Sequence, residues 1–596
     1  IMLLSRSMEM IWISDISKLY NQLKLNNASL PYSLFLYSDS LDPSVKPEVW
    51  VMTSAWYGVG SSGGQAEAAL RMIARIDTEM FPLAVKPLEE GRYVDDLRGV
   101  SHTSDERELQ IQQTKQALSL GGLSMKFVAK SGEPPPPEAS SDGVSTKLLG
   151  YRWEPVKDIL TPGFSELNFH SKVRGAKKPN SKPIITKEDA RELMSDLVVT
   201  RKIVISKLAE FWDPIGIWEP FKVQLKLAAS LLNGLDWNKP LPNETQEYWK
   251  EVFLKFTEFQ CMAVPRCTIP PEVSSSSKIR LLCISDAAVH AGGSAIYATY
   301  RKDDGSYSCR LLKSKSRILD GTVPRNELSA IMIMAELAFT VKKALGNLVG
   351  EVLYFTDSTI AMCWSFNTNK KLRIYVLNRV NLIRQMIEWT TGETENLPLY
   401  HIDGELNPAD LLTKTRDIGP ADLTVDSVWQ SGLPWMRLPL DKMPVKTYAD
   451  LRIDAKVQQE VEQECFHEPF IPKVNGFIHA LFDQKLGQTR SVSHCSGCQS
   501  AGPTMKEWIC YGRFDEFDHC DDCDCKFVFS ASSKGRLAVY DLPVDVIHFG
   551  WQKSLNFMSR ALEFICRVTH RAHGSTENPV VKSNLEKICI LCVTQE

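Results

Sequence analysis

From residue 279 onward the apolar pattern keeps changing period, and that rhythm restricts the fold more than any other feature of the chain. KIRLLCISDAAVHAGGSAIYATYR (278–301) reads as a strand ending in Asp286, a glycine-containing turn and a second strand. VPRNELSAIMIMAELAFTVKKAL (323–345) has the spacing of an amphipathic helix, with Glu327 in its first turn. EVLYFTDSTIAMCWSF (351–366) is a buried strand ending at Asp357 and running into a helix. LYHIDGELNPADLLTK (399–414) is a strand, a loop and a short helix beginning near Asp410. Strands alternating with helices in this way imply a mixed α/β (α+β) architecture. Taken singly, Glu327 complements a helix dipole, and Asp357 and Asp410 cap helices. Taken together, they put four acids at the ends of successive elements.

A second set of acids lies upstream. GRYVDDLRGV (91–100) holds Asp95 and Asp96 between two short apolar runs. The pair is either a solvated hairpin turn, because Asp tolerates turn geometry, or two carboxylates at a hairpin tip that bind divalent metal. WISDISKLYNQLKL (12–25) begins with a strand ending at Asp15, which read alone is a helix N-cap. With Asp95 and Asp96 it forms the carboxylate set that nucleotidyl transfer needs, where two Mg²⁺ ions about 4 Å apart serve the attacking and leaving oxygens. Carboxylates this close repel one another, so metal is needed to keep them all ionised.

At 596 residues the chain exceeds one ordinary core, and roughly 100–200 residues per domain gives three to five units. A net charge of −3 gives no global attraction to nucleic acid, leaving only local grooves for a polyanion. The basic run SKVRGAKKPNSKPIITK (171–187) is either such a contact or a polar linker. From 187 to 213 the spacing predicts a helical stretch that stops at Pro214, and IPPEVSSSSKIR (269–280) reads as a linker. No apolar run approaches the roughly 20 residues of a membrane span. The fifteen cysteines, with no secretory signal, favour reduced thiols in a cytosolic compartment.

Several segments together resemble a reverse transcriptase palm. DISKLYNQL is similar to its first catalytic motif and YGVGSSGGQAEAAL (57–70) to the turn and helix under template and nucleotide. YVDDL resembles the second metal motif, GGLSMKF (121–127) the next palm element and LLGYRW (148–153) the primer grip. The resemblance implies catalytic, metal-holding roles for Asp15, Asp95 and Asp96, and substrate contacts from Tyr20, Gln65 and Tyr93. Tyr20 would be the aromatic gate against a 2′-OH. Asp286, Glu327, Asp357 and Asp410 likewise resemble the metal-binding acids of RNase H-like nucleases. His401 is then either a mobile acid for product release or a structural strand-end residue, and Asn407 a turn residue. TRKIVISKLAEFWDPIGIWEP (200–220), WNKPLP (237–242), VPR (264–266) and VLNRVNLI (376–383) resemble the Pao/BEL class of LTR retrotransposon polyproteins.

That resemblance implies a palm at 1–155 with its fingers missing, a thumb/connection at 156–270 and an RNase H-like mixed-sheet domain at 276–420. A linker at 421–475 and a Cys-rich, helical connector at 476–596, upstream of a missing integrase, would follow. It further implies Mg²⁺ (or Mn²⁺), RNA template, DNA primer, dNTPs and RNA–DNA hybrid as partners, no membrane, and a cytoplasmic virus-like particle or the nucleus as location. Gly63-Gly64 stands where the family has a Ser-Pro-like step. Cys495, Cys498, Cys520 and Cys523 have the spacing of a Zn²⁺ site, with unligated thiols as the alternative. A decayed or co-opted copy that only binds nucleic acid or partners is the rival reading, and retention of all seven acids opposes it.

Overall fold

The computed structural model describes residues 1–465 except 164–185 and the loop positions 41, 43, 77, 261, 271–272, 274–276, 368–371, 394–395 and 415. Of 466–596 it describes three short antiparallel strands, Ser491–Ser493, Val528–Ser530 and Val539–Tyr540. The expected Zn²⁺ cysteines, the helix expected at 551–570 and nearly all of the basic run 171–187 lie outside the described residues. The chain divides into two units, Ile1–Cys465 and Phe466–Glu596.

The first unit opens with β1 (Met10–Ile16), α1 (Ser62–Ile76), α2 (Pro82–Glu89), β2 (Arg92–Tyr93), β3 (Asp96–Ser101), α3 (Ser104–Leu120) and β4 (Met125–Lys130). The strands form an antiparallel sheet in the order β2-β3-β1-β4. Side chains on β1 alternate between two cores, as the period of two requires. Trp12 and Ile16 pack with Leu70, Leu88 and Leu118 beneath the helices, whereas Ile11 and Ile13 face Tyr151 and Trp153. Gly99 on β3 is obligatory, because a Cβ there would stand 2.2 Å from the Trp12 indole nitrogen. That nitrogen donates instead to Gln110 Oε1 on α3 at 2.8 Å.

A second sheet follows from β5 (Thr146–Leu148), β6 (Tyr151–Glu154), β7 (Ile159–Thr161) and the later β8 (Val264–Pro265). Between β7 and β8 run α4 (Lys187–Leu193), α5 (Arg201–Glu210), α6 (Glu219–Ser230) and α7 (Asn243–Phe259). The helical stretch expected over 187–213 is therefore two helices. Val198, Val199 and Thr200 form a β-branched run that leaves the helix. The Val199 amide donates to Gln246 Oε1 at 2.8 Å, and the Thr200 hydroxyl caps α5 by accepting from the Ile203 amide at 3.3 Å.

The third region contains β9 (Ile279–Ala287), β10 (Ala291–Arg301), β11 (Tyr307–Ile318), α8 (Val323–Leu345), β12 (Val349–Thr356), α9 (Thr359–Phe366), α10 (Ile374–Thr391) and β13 (Leu399–His401). Its sheet runs β11-β10-β9-β12-β13, antiparallel across β11, β10 and β9 and parallel across β9, β12 and β13. Every residue of β9 is buried, because Leu281 and Cys283 face the α8/α10 side while Leu282 and Ile284 face the preceding helices and the 420–443 segment. The expected mixed α/β fold is the one observed.

WDPIGIWEP (212–220) fastens the helical region to the edge strand β11. Asp213 is buried and accepts from Tyr151 Oη at 2.6 Å and from the Ile217 and Trp218 amides, each at 2.9 Å. Ile215 O accepts from the Ser314 amide at 2.8 Å, and Glu219 Oε1 accepts from the Ser316 amide at 3.0 Å. Gly216 has φ +76°, and a Cβ on it would lie 2.2 Å from Ser314 O. Arg266 of VPR is fully buried, gripping Asp158 at 2.6 and 2.7 Å and the Met8 carbonyl at 2.8 Å.

The 421–475 linker is corrected as far as Cys465. Trp429 and Trp435 are buried there, Trp429 Nε1 donates to Ile217 O at 2.8 Å, and Tyr297 Oη donates to Trp429 O at 3.0 Å. Helix α11 (Ala455–Gln463) offers Val461 O to the Trp364 indole at 3.2 Å. The weak periodicity that reads as a linker comes from short 3₁₀ turns anchored by isolated tryptophans.

Candidate active sites

Two groups of acids converge, each offering carboxylate oxygens that all lie within 4.8 Å of one another: Asp15, Asp95 and Asp96, and Asp286, Glu327 and Asp357.

In the first group Asp15, on β1, is the cross-strand partner of Asp96 at the start of β3. Tyr93 pairs with Asp96, so Val94 and Asp95 alone make the turn between β2 and β3. The hairpin-turn reading of the Asp-Asp pair therefore holds, and the same tip carries the clustered acids. A two-residue hairpin favours φ > 0 at its first position, and Val94 adopts φ +58°, a strained value for a β-branched residue. The Asp95 carbonyl accepts from the Ile16 amide at 2.9 Å, tying the tip to β1. Burial, followed by the neighbouring Asp95 charge, raises the pKa of Asp15. Asp96 is raised by burial, with Arg98 opposing the shift. Lys126 on β4 was not anticipated as a site residue. Its Nζ stands 3.6 Å from Asp15 Oδ2, and its alternation on a strand beside β1 was the available signal.

Of the expected substrate contacts, Tyr93 is placed beside this triad by its pairing with Asp96. The Tyr20 ring meets Tyr57 edge-on, with centroids 5.1 Å apart. Tyr93 is exposed at the tip. Gln65 is exposed on α1, its amide donating to Ser61 O at 3.0 Å. Gly63 and Gly64 fall within the first turn of α1 and face open space.

In the second group Asp286 comes from β9, Glu327 from α8 and Asp357 from the residue after β12. The cap and first-turn roles are corrected. Ser358 caps α9 by accepting from the Ala361 amide, and Glu327 lies beyond the first turn of α8, which holds no acid. The turn near Asp410 is the 3₁₀ segment Pro408–Leu412, capped by Asn407. These acids therefore do not serve as helix caps. Glu327 Oε2 and Asp357 Oδ1 are buried with no hydrogen-bond partner among the described residues. Burial, then the Asp357 charge, pushes Asp286 up to about 7. Burial, then Asp286 and Asp357, pushes Glu327 up to about 9. Burial also raises Asp357, against a stabilising hydrogen bond from Asn407.

Asp410 stands outside the 4.8 Å group and pairs with Lys414, although its charge still raises Asp286 and Asp357. Asn407 is more than a turn residue: it is buried, and its Nδ2 donates to Ser285 O at 3.0 Å, beside Asp286. Thr413, not anticipated, donates its hydroxyl to Asp286 Oδ2. His401 directs Nε2 at the Asp357 carbonyl, 3.0 Å away, and its Nδ1 is buried without a partner among the described residues. Burial lowers its pKa, so the neutral ring donating from Nε2 fits this geometry.

Residues 200–358 match the family described as the Pao retrotransposon-like RNaseH-like domain. That segment is similar to the Pao retrotransposon-like domain. The matched Pao segment runs from Thr200, the cap of α5, to Ser358, the cap of α9. It thus contains the WDPIGIWEP clamp and the whole second triad, and ends before Asp410. Two solved structures are similar to parts of this chain. The foamy viral protease-reverse transcriptase dRH in complex with ds DNA is 13% identical, with TM-score 0.40, covering 70% of this chain and 59% of that one. The foamy viral protease-reverse transcriptase in complex with dsDNA is 12% identical, with TM-score 0.38 and 70% of each chain covered. Among curated proteins none matches the chain. No helix among the described residues is long and apolar enough to cross a membrane.

Proposed function

We propose that this chain is the reverse transcriptase and ribonuclease H portion of a Pao-class retroelement. It would extend a DNA primer on an RNA template from dNTPs, and cut the RNA strand of RNA–DNA hybrids. The observation that carries this reading is that one chain folds two separate carboxylate triads, each converging within 4.8 Å. Their donors are all hard oxygens, the set that suits Mg²⁺ or Mn²⁺. The orphaned buried oxygens of Glu327 and Asp357 fit a cation that supplies the missing partner. Bound metal would activate the attacking water or 3′ hydroxyl and neutralise the leaving oxygen.

The chain's own residues do the positioning. Asn407 and Thr413 hold β9 and Asp286 against the 3₁₀ turn, and His401 fixes the backbone of Asp357. The unpartnered His401 Nδ1 leaves one nitrogen free to take up a proton during product release. At the palm, Tyr57 holds Tyr20 edge-on as the sugar gate, with Gln65 and Tyr93 toward template and primer. Asp410 joins the second triad as a further ligand once Lys414 yields it. The Cys495, Cys498, Cys520 and Cys523 set would hold structural Zn²⁺, and the chain would act in a cytoplasmic particle.

A Mg²⁺-dependent assay on a labelled RNA–DNA hybrid and on a primed RNA template tests the proposal. Hybrid cleavage is expected to vanish in Asp286→Asn and Asp357→Asn, and extension in Asp95→Asn. Cleavage that survives both nuclease substitutions, or extension indifferent to Asp95, overturns the corresponding half.

A further inference from the structure

The nuclease sheet carries a charged cleft at the end away from its acids. Arg280 is the second residue of β9, and Asp286 lies six residues on, roughly 20 Å along an extended strand. The cleft, about 300 Å³, is lined by Lys278, Arg280, Arg301, Tyr307, Gly350 and Glu351. Ligand pockets are usually apolar, but this one sets three cations against a single carboxylate.

Arg280 is its rigid part. Only 4% of the residue is exposed, and its guanidinium lies over the Tyr307 ring, 3.5 Å from the centroid. Nε donates to Thr299 Oγ1 at 3.0 Å and Nη2 to Met436 O at 3.2 Å. Nη1 has no hydrogen-bond partner among the described residues. An immobilised guanidinium with one N–H edge open to the cleft is placed to donate to an anionic acceptor. Lys278 and Arg301 are exposed at the rim of the same cleft, and the Lys278 ammonium donates to Asn347 O. Gly350 keeps the wall thin, since a Cβ there would crowd Lys278 Cβ at 2.8 Å.

We propose that this cleft binds a phosphate group, from a nucleotide or from the backbone of a nucleic-acid strand, at a site separate from both carboxylate triads. A tetrahedral oxyanion takes the fixed N–H edge of Arg280 together with the charge of Arg301 and that of Lys278, whose ammonium is held by Asn347 O. Glu351 opposes it from the rim.

The test is equilibrium binding of inorganic phosphate, a deoxynucleoside monophosphate and a short single-stranded oligonucleotide to the full chain. Divalent metal is chelated so that the triads take no part. Saturable binding is expected to weaken roughly tenfold in the Lys278→Ala/Arg301→Ala double variant and to tighten in Glu351→Gln. If only the small probes respond to the substitutions, the ligand is a free nucleotide or phosphate; if the oligonucleotide responds too, it is a strand. The proposal is overturned if no probe binds saturably in the millimolar range, or if the substitutions leave every affinity unchanged. Should the double variant fail to fold, an unchanged affinity in Glu351→Gln is itself enough to overturn it.

Discussion

The two acidic triads both offer only carboxylate oxygens and both gather them within 4.8 Å, yet they sit in opposite surroundings. At the hairpin tip, Asp15 is half-buried, Asp96 is exposed, and a lysine stands 3.6 Å from Asp15. Water and Lys126 therefore screen much of the mutual repulsion. On the nuclease sheet Asp286 is buried, two oxygens of its neighbours have no partner among the described residues, and the acids are pushed to about 7 and about 9. The first triad is therefore expected to tolerate the absence of a cation better than the second, which is expected to hold its protons until a cation replaces them.

Removing one acid from each triad should separate the two activities, with the largest effects of any substitution. Asp286→Asn is expected to lower hybrid cleavage by roughly 10²–10³-fold or more, on the scale seen when one preorganised electrostatic group is lost. Primer extension should stay near wild type. Asp95→Asn should do the reverse. Parallel loss of both activities in either variant would show that the triads are not independent, and would break the comparison.

Stability should vary with pH more steeply for the nuclease triad. A carboxyl whose pKa is raised on folding binds its proton more tightly in the folded state. Its contribution is therefore fully present below the ordinary carboxylate range and is lost as pH rises through the folded value. For Asp286 and Glu327 that loss runs from about pH 4 up through about 7 and about 9. Glu327→Gln removes the ionisation. In metal-free buffer the variant should gain on wild type between pH 5 and 9 by a few kcal/mol, at about 1.4 kcal/mol per pKa unit. Denaturant melts at several pH values measure this, and Mg²⁺ should restore wild type. Asp15→Asn should show the same sign with a smaller amplitude, and equal slopes would erase the contrast.

The residues behind the acids come next in size. Thr413→Val removes the hydroxyl that meets Asp286, and Asn407→Ala removes the bond to Ser285 O. Supporting partners of this kind are worth about 10–100-fold in metal affinity. The Mg²⁺ concentration for half-maximal cleavage should rise on that scale, with extension unaffected. An unchanged Mg²⁺ curve in Thr413→Val would reduce that contact to packing.

The acids of both triads were legible because they sit at or near the ends of elements in strongly periodic stretches. VPRNELSAIMIMAELAFTVKKAL is one helix with the expected bounds. What the sequence concealed depended on tertiary partners. Thr413 and Lys126 meet acids 127 and 111 positions away, and strand alternation at Lys126 is the one local hint of either. The break between α4 and α5 is decided by Gln246, more than forty residues downstream, which takes the Val199 amide out of the helix. The 421–465 segment read as a linker because its anchors, Trp429 and Trp435, are isolated rather than periodic.

The smallest effect concerns Lys126, the cation beside Asp15. Lys126 is half exposed, so its pairing with Asp15 contributes no more than about 1 kcal/mol to stability. Its effect on metal is separate: the ammonium lies where a cation bound to Asp15 would concentrate positive charge, so the two compete. Lys126→Met keeps the stem that covers β4 and removes the charge. Extension by the variant should need several-fold less Mg²⁺ for half-maximal rate, and the difference should shrink in high salt, where exposed charges are screened. Hybrid cleavage, measured in the same preparation, should keep its wild-type Mg²⁺ curve. If Lys126→Met instead needs more Mg²⁺, the lysine contacts the incoming triphosphate rather than guarding Asp15, and the screened palm triad would owe its tolerance to water alone.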